Sequence, residues 1–153
     1  MPIKSFLRSS IDPHCSAAVI STSSDAHELK ISCPYILAEY MDLDYESPRS
    51  FSVEQADGFA DFLKALKENT TDLYVCCDAG ESRSPAIAAA IHRWMAQSDA
   101  YIWESPKYHP NVLCFCRMLE ALKMDITDEE IDILIQTNQS AFKKAIQQAK
   151  QGG

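Results

Sequence analysis

A short apolar segment, a compact polar loop and an alanine-rich segment follow one another between residues 73 and 95, and this order constrains the fold more than any other feature. Residues 73–76 form a compact apolar run, which is typical of a buried strand. Pro85 opens the alanine-rich segment, and proline is well tolerated in the first turn of a helix. The sequence therefore predicts a strand, a tight loop over residues 77–84, and a helix from residue 86 to about residue 95.

Further strands and helices are predicted on both sides of this unit. Ser52 and Gln55 have the spacing of a capping box, and the apolar residues after them recur at helical spacing. The other predicted elements are strands at residues 16–21 and 35–41, and helices at residues 53 to about 69, 111 to about 123, 128–135 after a Thr127 N-cap, and a last polar helix capped by Ser140. Strands separated by helices favour an α/β fold, a single three-layer domain with a central, mostly parallel sheet flanked by helices. We assign residues 1–153 to that domain, with a core at about 16–120 and a helical C-terminal part at 121–153.

Charge and cysteine usage exclude several classes of function. The chain has 153 residues and a net charge of −8, from 14 Lys and Arg against 22 Asp and Glu. This balance argues against a nucleic-acid partner and against docking on an anionic membrane. No apolar stretch is long enough to cross a bilayer, and no apolar run follows the basic N-terminus as in a secretory signal. Six cysteines without a CxxC pair, and histidines scattered at positions 14, 27, 92 and 109, predict reduced thiols, a cytoplasmic protein, no metal site and no cofactor.

The loop at residues 77–83, called the Cys77 loop below, has the composition of an anion-binding site. A tight loop that leads into a helix directs successive backbone N–H groups into one concavity, and the helix N-terminus adds partial positive charge. Gly80 allows a sharp turn of the backbone, and Arg83 can hold an anion through two parallel hydrogen bonds. Cys77 at the floor of such a site would ionise readily, because the dipoles and Arg83 favour the thiolate. A thiolate beneath bound phosphate is a nucleophile in line with the phosphorus.

The loop and its flanks resemble the C-x5-R-S/T signature of cysteine-dependent protein phosphatases, closest to the compact dual-specificity group, in the segment Val75-Cys76-Cys77-Asp78-Ala79-Gly80-Glu81-Ser82-Arg83-Ser84. The resemblance covers about residues 16–120 and includes Pro110-Asn111 followed by Phe115. It implies a protein tyrosine phosphatase-like fold and metal-independent hydrolysis through a phosphocysteine. The residues that it assigns are Cys77 as nucleophile; Asp78, Ala79, Gly80, Glu81, Ser82 and Arg83 as the phosphate-binding loop; Ser84 as a hydroxyl beside the sulfur; and Asn111 and Cys76 as supporting residues.

An upstream aspartate is the expected general acid. Transfer of a phosphoryl group to a thiolate expels an alkoxide or phenoxide, which needs a proton from a positioned carboxylic acid. In the family that the chain resembles, this acid is an aspartate on a loop just after a strand. Asp42 lies 35 residues before Cys77, and Asp44 lies 33 residues before it. Both are candidates, and Asp42, directly at the end of the predicted strand, is the first choice.

Cys76 is the reason for the main alternative. The family that the chain resembles usually has a histidine directly before the nucleophile, and this chain has Cys76 there, so a non-catalytic, phosphate-binding pseudophosphatase remains open. A rhodanese-like or arsenate-reductase-like enzyme is a further alternative, because these enzymes also carry a cysteine in an anion-binding loop. Asp78 and Glu81 within the loop argue against a densely anionic inositol headgroup. The expected partner is a phosphorylated protein or a small phosphomonoester.

Overall fold

The structure is a computed structural model that describes residues 1–23 and 29–152, so His27 lies outside the described residues. The described residues form three strands and six helices, which confirms the α/β class. The strands are β1 (Ser16–Thr22), β2 (Tyr35–Glu39) and β3 (Asp72–Cys76), and the helices are α1 (Ile3–Arg8), α2 (Val53–Lys64), α3 (Arg83–Trp94), α4 (Ala100–Trp103), α5 (Val112–Ala121) and α6 (Asp128–Gln151).

The three strands form one parallel sheet in the order β2-β1-β3. Ile20 of β1 pairs with Cys76 of β3, and Thr22 pairs with Glu39 of β2. Helix α2 connects β2 to β3 and so carries the chain across β1. Because the strands are parallel, their carboxyl ends meet at one edge of the sheet, where ligands bind in open α/β folds. That edge brings together the segments that follow Thr22, Glu39 and Cys76.

Helices cover the two faces of the sheet unequally. On one face, a large core joins side chains of α2, α3, α4 and α5 with Val19 and Ala38 of the sheet. On the other face, Phe6 of α1 packs with Ala18 and Ile20. Successive side chains of a strand point to opposite faces, so Val19 packs in the large core, whereas Ala18 and Ile20 on either side of it pack in the smaller core. The sheet therefore lies between helices, with the six-residue helix α1 as the thinner layer.

The predicted caps at Ser52 and Thr127 are confirmed, whereas one helix ends earlier than predicted. Ser52 and Gln55 form the reciprocal capping box of α2, with the Gln55 N–H donating to Ser52 Oγ at 3.0 Å. Thr127 caps α6 by accepting from the Glu130 N–H at 3.1 Å. Helix α2 ends at Lys64 and not near residue 69, because the chain must return to the start of β3. Strand β2 likewise ends at residue 39, two residues before its predicted end.

The structure also corrects the boundaries of α3 and α6. Helix α3 begins at Arg83 and not after Pro85, so Arg83 and Ser84 belong to its first turn. Helix α6 is one helix of 24 residues, and Ser140 lies inside it instead of capping a separate helix. Helices α1 and α4 were not predicted from the sequence. No helix in the described part of the chain has the length and apolar character needed to span a membrane.

Candidate functional site

Cys77 lies at the floor of a loop that closes around its sulfur. It follows β3 directly and is 2% exposed. Its Sγ accepts a hydrogen bond from the backbone N–H of Gly80 at 3.2 Å and lies 3.1 Å from the hydroxyl oxygen of Ser84. The hydroxyl and the N–H can both donate to a negatively charged sulfur, and such charge-assisted hydrogen bonds are the stronger kind. The loop thus holds the sulfur in place and can stabilise its charge.

The backbone of the loop is fixed by its carbonyl groups. The carbonyl oxygens of Glu81 and Ser82 accept hydrogen bonds from the backbone N–H groups of His109 at 2.8 Å and Asn111 at 3.1 Å. A trans peptide directs its C=O and N–H to opposite sides, so the N–H groups of Ser82 and Arg83 face away from these partners. The Ser82 N–H donates to no group in the described part of the chain. Backbone N–H groups that are free in a concave loop form an anion site.

Arg83 lies behind the loop with only part of its guanidinium paired. It is 6% exposed. Nη1 donates to Ser23 Oγ at 2.7 Å and to the Tyr40 carbonyl oxygen at 2.8 Å, and Nη2 donates to Asp78 at 2.8 Å. A guanidinium has five N–H donors, so two remain, and one of these belongs to Nε, which is buried without a partner among the described residues. A buried donor without an acceptor is costly, and an oxyanion in the loop would satisfy it.

Asp78 fixes Arg83 with its side chain, which leaves only its backbone for an anion. Its carboxylate accepts from the Thr22 hydroxyl at 2.7 Å, from the Ser23 N–H at 3.0 Å and from Arg83. Burial raises the pKa of this carboxyl, but the hydrogen bonds from Ser23, Thr22 and Arg83 outweigh that effect, so its pKa lies below the ordinary value of 3.8. Of the two acidic side chains in the loop, Asp78 is therefore paired with Arg83.

We expect Asp78→Asn to reduce stability in a pH-dependent way. The folded-state pKa of Asp78 is lowered below 3.8, so its stabilising effect is fully present above about pH 4 and is lost as the pH falls through the folded-state value. The free energy of unfolding, measured with urea from pH 7 to pH 3, should differ between wild type and variant by a constant amount above about pH 5. The difference should shrink below about pH 4. A difference that grows on acidification would contradict the assignment.

The two candidate general acids occupy different positions. Asp42 Oδ1 accepts hydrogen bonds from Ser82 Oγ and from Asn111 Nδ2, both at 2.8 Å, so this carboxylate lies at the rim of the Cys77 loop. Asp44 makes no hydrogen bond or ion pair within the described part of the chain. Asn111 also caps α5, because its Oδ1 accepts from the Cys114 N–H at 3.1 Å. Of the two aspartates, Asp42 is therefore the one that is held at the rim of the loop by hydrogen bonds.

Cys76 does not supply the charge that a histidine could carry. Its side chain is fully buried in the smaller core with Phe6 and Cys33. Burial raises the pKa of the Cys76 thiol to about 12, so this thiol stays neutral at physiological pH. All six cysteines are free, and Cys76 and Cys77 form no disulfide. Cys76 is therefore a packing residue beside the site.

The first residues of the chain pack against the Cys77 loop, which the sequence did not indicate. The Cys77 N–H donates to the Met1 carbonyl at 3.1 Å, and the Ile3 N–H donates to the Cys77 carbonyl at 2.9 Å. Gly80 has a φ of 73°, and a Cβ atom at Gly80 would lie 2.6 Å from the Pro2 nitrogen. Both the backbone conformation and the lack of space therefore require glycine at position 80.

Gly80→Ala is expected to destabilise the protein and distort the site. The left-handed conformation alone costs an alanine about 1–2 kcal/mol, and the clash with the backbone of Pro2 adds to this. Urea unfolding of the variant measures the change. Gly58→Ala is the matched control, since a Cβ there meets only Ile36 Cδ1, at 3.8 Å. Because Gly58 lies inside α2, its replacement should stabilise the protein by about 0.5–1 kcal/mol. The same sign for both variants would contradict this interpretation.

Three residues that build the site were missed in the sequence. Ser23 and Tyr40 hold Arg83, and His109 holds the Cys77 loop through its backbone. The Tyr40 ring lies 5.7 Å from the guanidinium carbon of Arg83, and its hydroxyl donates to Ser21 Oγ at 2.7 Å. Burial raises the pKa of Tyr40 well above 10, so it stays neutral. The only signal for Ser23 and Tyr40 is their position near the ends of predicted strands: Ser23 follows residues 16–21, and Tyr40 lies within residues 35–41.

The residues that the structure describes include no group of three His, Cys, Asp or Glu side chains that could hold a metal ion. No protein-family model, no curated protein and no solved structure matches this chain.

Proposed function

We propose that this protein is a cysteine-dependent phosphomonoesterase, a dual-specificity or tyrosine protein phosphatase with a protein tyrosine phosphatase-like fold. The observation that carries the proposal is the buried Arg83, whose Nε lacks a partner among the described residues, in the loop that surrounds the Cys77 sulfur. Donors that are already in place for an oxyanion, next to a sulfur nucleophile, fit phosphoryl transfer. The substrate is a phosphorylated protein or a small phosphomonoester.

In the first step, the Cys77 thiolate attacks the phosphorus. The S–P bond forms, the bond from phosphorus to the ester oxygen breaks, and the leaving oxygen takes a proton from Asp42. Arg83 and the free backbone N–H groups bind the non-bridging oxygens, where negative charge accumulates. Asp42 fits the task because Ser82 and Asn111 hold its Oδ1 at the rim of the loop.

In the second step, water hydrolyses the phosphocysteine. The Asp42 carboxylate takes a proton from the attacking water, the O–P bond forms, and the S–P bond breaks to release the thiolate. Ser84 assists here, because its hydroxyl lies 3.1 Å from the Cys77 sulfur and can donate to the departing thiolate. Inorganic phosphate then leaves, and the enzyme returns to its starting state.

Asp42→Asn is expected to lower kcat for an aryl phosphate by about 10²–10⁴ with little change in KM, because an amide cannot supply the proton. Steady-state hydrolysis in the presence of a metal chelator measures both constants. The loss should be smallest for the most acidic leaving group, which needs the least protonation. Asp44→Asn is the matched control, and a larger loss in that variant would assign the acid to Asp44. Activity that the chelator removes would contradict the mechanism.

A phosphate-binding protein without catalysis is the second candidate. The specific observation in its favour is the neutral, buried Cys76 at the position where phosphatases of this type usually carry a histidine. The rate of alkylation of Cys77 by iodoacetamide separates the two functions. A rate that rises only near about pH 8.5, where free cysteine ionises, together with phosphate binding and no turnover, would support the binding protein.

A further inference from the structure

A cavity of about 450 Å³ opens beside the Cys77 loop, large enough for part of a bound ligand. It is separate from the anion site, since Ser82 is the loop residue that borders it. The residues that matter for its chemistry are Asp42, Asp44, Ser82, His109, Asn138 and Gln139. Ser82 and Asp42, which are joined by a hydrogen bond at the rim of the Cys77 loop, both border this cavity, so it adjoins that rim.

Helix α6 forms the far wall of the cavity and is firmly attached there. Asn138 is 9% exposed, and its Nδ2 donates to the backbone carbonyls of Trp103 at 3.1 Å, Ser105 at 3.3 Å and Tyr108 at 2.9 Å. Farther along α6, the Phe142 ring packs edge-on against His109, with centroids 5.0 Å apart. These contacts fix the position of α6 relative to the Cys77 loop.

Two acceptor groups that line the cavity have no donor among the described residues. Asp44 is unpaired within the described residues. The Asn138 side chain, nine-tenths buried, uses its Nδ2 fully, whereas its Oδ1 accepts no hydrogen bond from any described residue. Gln139 beside it adds an amide oxygen. No lysine or arginine among the described residues lines the cavity. A ligand with several donors and a positive charge complements this lining.

We propose that this cavity binds an arginine side chain of a protein substrate, next to the phosphorylated residue. The inference rests on the proposed function, because it places the phosphate at Cys77. Asp44 supplies the opposite charge, and the Oδ1 of Asn138 and the amide oxygen of Gln139 accept further hydrogen bonds. A guanidinium is the side-chain group that donates to several spread acceptors at once. Helix α6 thus acts as the element that selects the flanking sequence.

The experiment measures binding of fluorescent phosphotyrosine peptides to the full chain with Cys77→Ser, which is expected to hold the phosphate without turning it over. Three peptides differ only beside the phosphotyrosine, where they carry arginine, the neutral isostere citrulline, or glutamate. The arginine peptide should bind roughly three- to fivefold more tightly than the citrulline peptide, as expected for an ion pair at a partly exposed site. The glutamate peptide should bind more weakly still.

Two variants with matched controls locate the effect. Adding Asp44→Asn should remove the preference for arginine over citrulline, whereas Asp72→Asn, the same charge change at the opposite end of β3, should leave it. Adding Gln139→Lys places a like charge on the wall and should reverse the preference between arginine and glutamate. Gln136→Lys, on α6 but outside this cavity, should not. The second pair tests the site without touching Asp44.

Each outcome decides the proposal. Equal binding of the three peptides, or equal effects of Asp44→Asn and Asp72→Asn, overturns the arginine site, and the latter result would mean that the net charge of −8 attracts cationic peptides in general. Absence of peptide binding also overturns it. Hydrolysis of an aryl phosphate by the wild-type protein tests the proposed function separately, because that substrate carries no guanidinium for the cavity to bind.

Discussion

Cys77→Ser is expected to reduce hydrolysis of an aryl phosphate by a factor on the order of 10⁴ or more, as for removal of other catalytic nucleophiles. A serine hydroxyl stays protonated at neutral pH and is a poor leaving group from phosphorus. The substitution removes only the sulfur, whereas Arg83 and the free backbone N–H groups remain. The variant should therefore still bind phosphate, which separates the loss of chemistry from a loss of the site.

Two measurements check this result. Steady-state hydrolysis gives the loss of turnover, and the rise in melting temperature on addition of inorganic phosphate reports binding. A ligand that binds only the folded state at 100 times its Kd stabilises it by about 2.7 kcal/mol. Cys15→Ser is the matched control, because Cys15 lies at the other end of the sheet, where its carbonyl accepts from the Asp72 N–H. Activity that survives Cys77→Ser would show that another group attacks the phosphorus, and the proposed mechanism would be wrong.

The Cys77 loop could be predicted because its chemistry is contiguous in the sequence. The strand, the cysteine, the glycine and the arginine follow one another within residues 73–84, and short-range rules for strands, turns and helix starts apply to each of them. The positive φ at Gly80 agrees with the sharp turn expected there. The start of the helix at Arg83 was not predicted. Pro85 was expected to open the helix, because its missing N–H signals a first turn without indicating which residue of that turn it occupies.

The partners of Arg83 could not be predicted in this way. Tyr40 and Ser23 lie 43 and 60 residues before Arg83. Nothing near either residue marks it as a support for a guanidinium. Only the parallel order β2-β1-β3, which places the ends of all three strands at one edge, brings them together. Long-range contacts of this kind depend on strand order, which the pattern of apolar residues does not specify.

The extent of helix α6 also could not be predicted from local sequence. Ser140 has the side chain of a helix cap, but serine is also tolerated inside a helix, and a cap is formed only where the backbone leaves the helical conformation. Tertiary contacts on both sides of residue 140 favour one continuous helix. Asn138 binds three backbone carbonyls, and Phe142 packs on His109. The sequence therefore predicted a separate polar helix at the end of the chain, whereas in the structure α6 is one helix that borders the cavity beside the Cys77 loop.

Arg83→Lys should remove most of the activity, although less than removal of the nucleophile, even though it keeps the positive charge. We expect kcat/KM for an aryl phosphate to fall by about 10²–10³, the usual effect of removing a donor that stabilises charge in the transition state. Arg83 donates three N–H hydrogen bonds, to Ser23, Tyr40 and Asp78. A lysine ammonium has three donors on one atom, so it cannot keep these contacts and also bind the anion.

The stabilisation by inorganic phosphate distinguishes this effect from a general loss of folding. In the wild type, bound phosphate would satisfy Nε, which is buried without a partner among the described residues, so phosphate should raise the melting temperature. In Arg83→Lys that rise should be lost or much reduced, even at pH values where the variant is folded. Arg93→Lys is the matched control, because Arg93 lies on the same helix and binds Asp99 at 2.7 Å. If both variants kept the response to phosphate, the unpaired Nε of Arg83 would have no part in anion binding. The proposed function would then lose its main support.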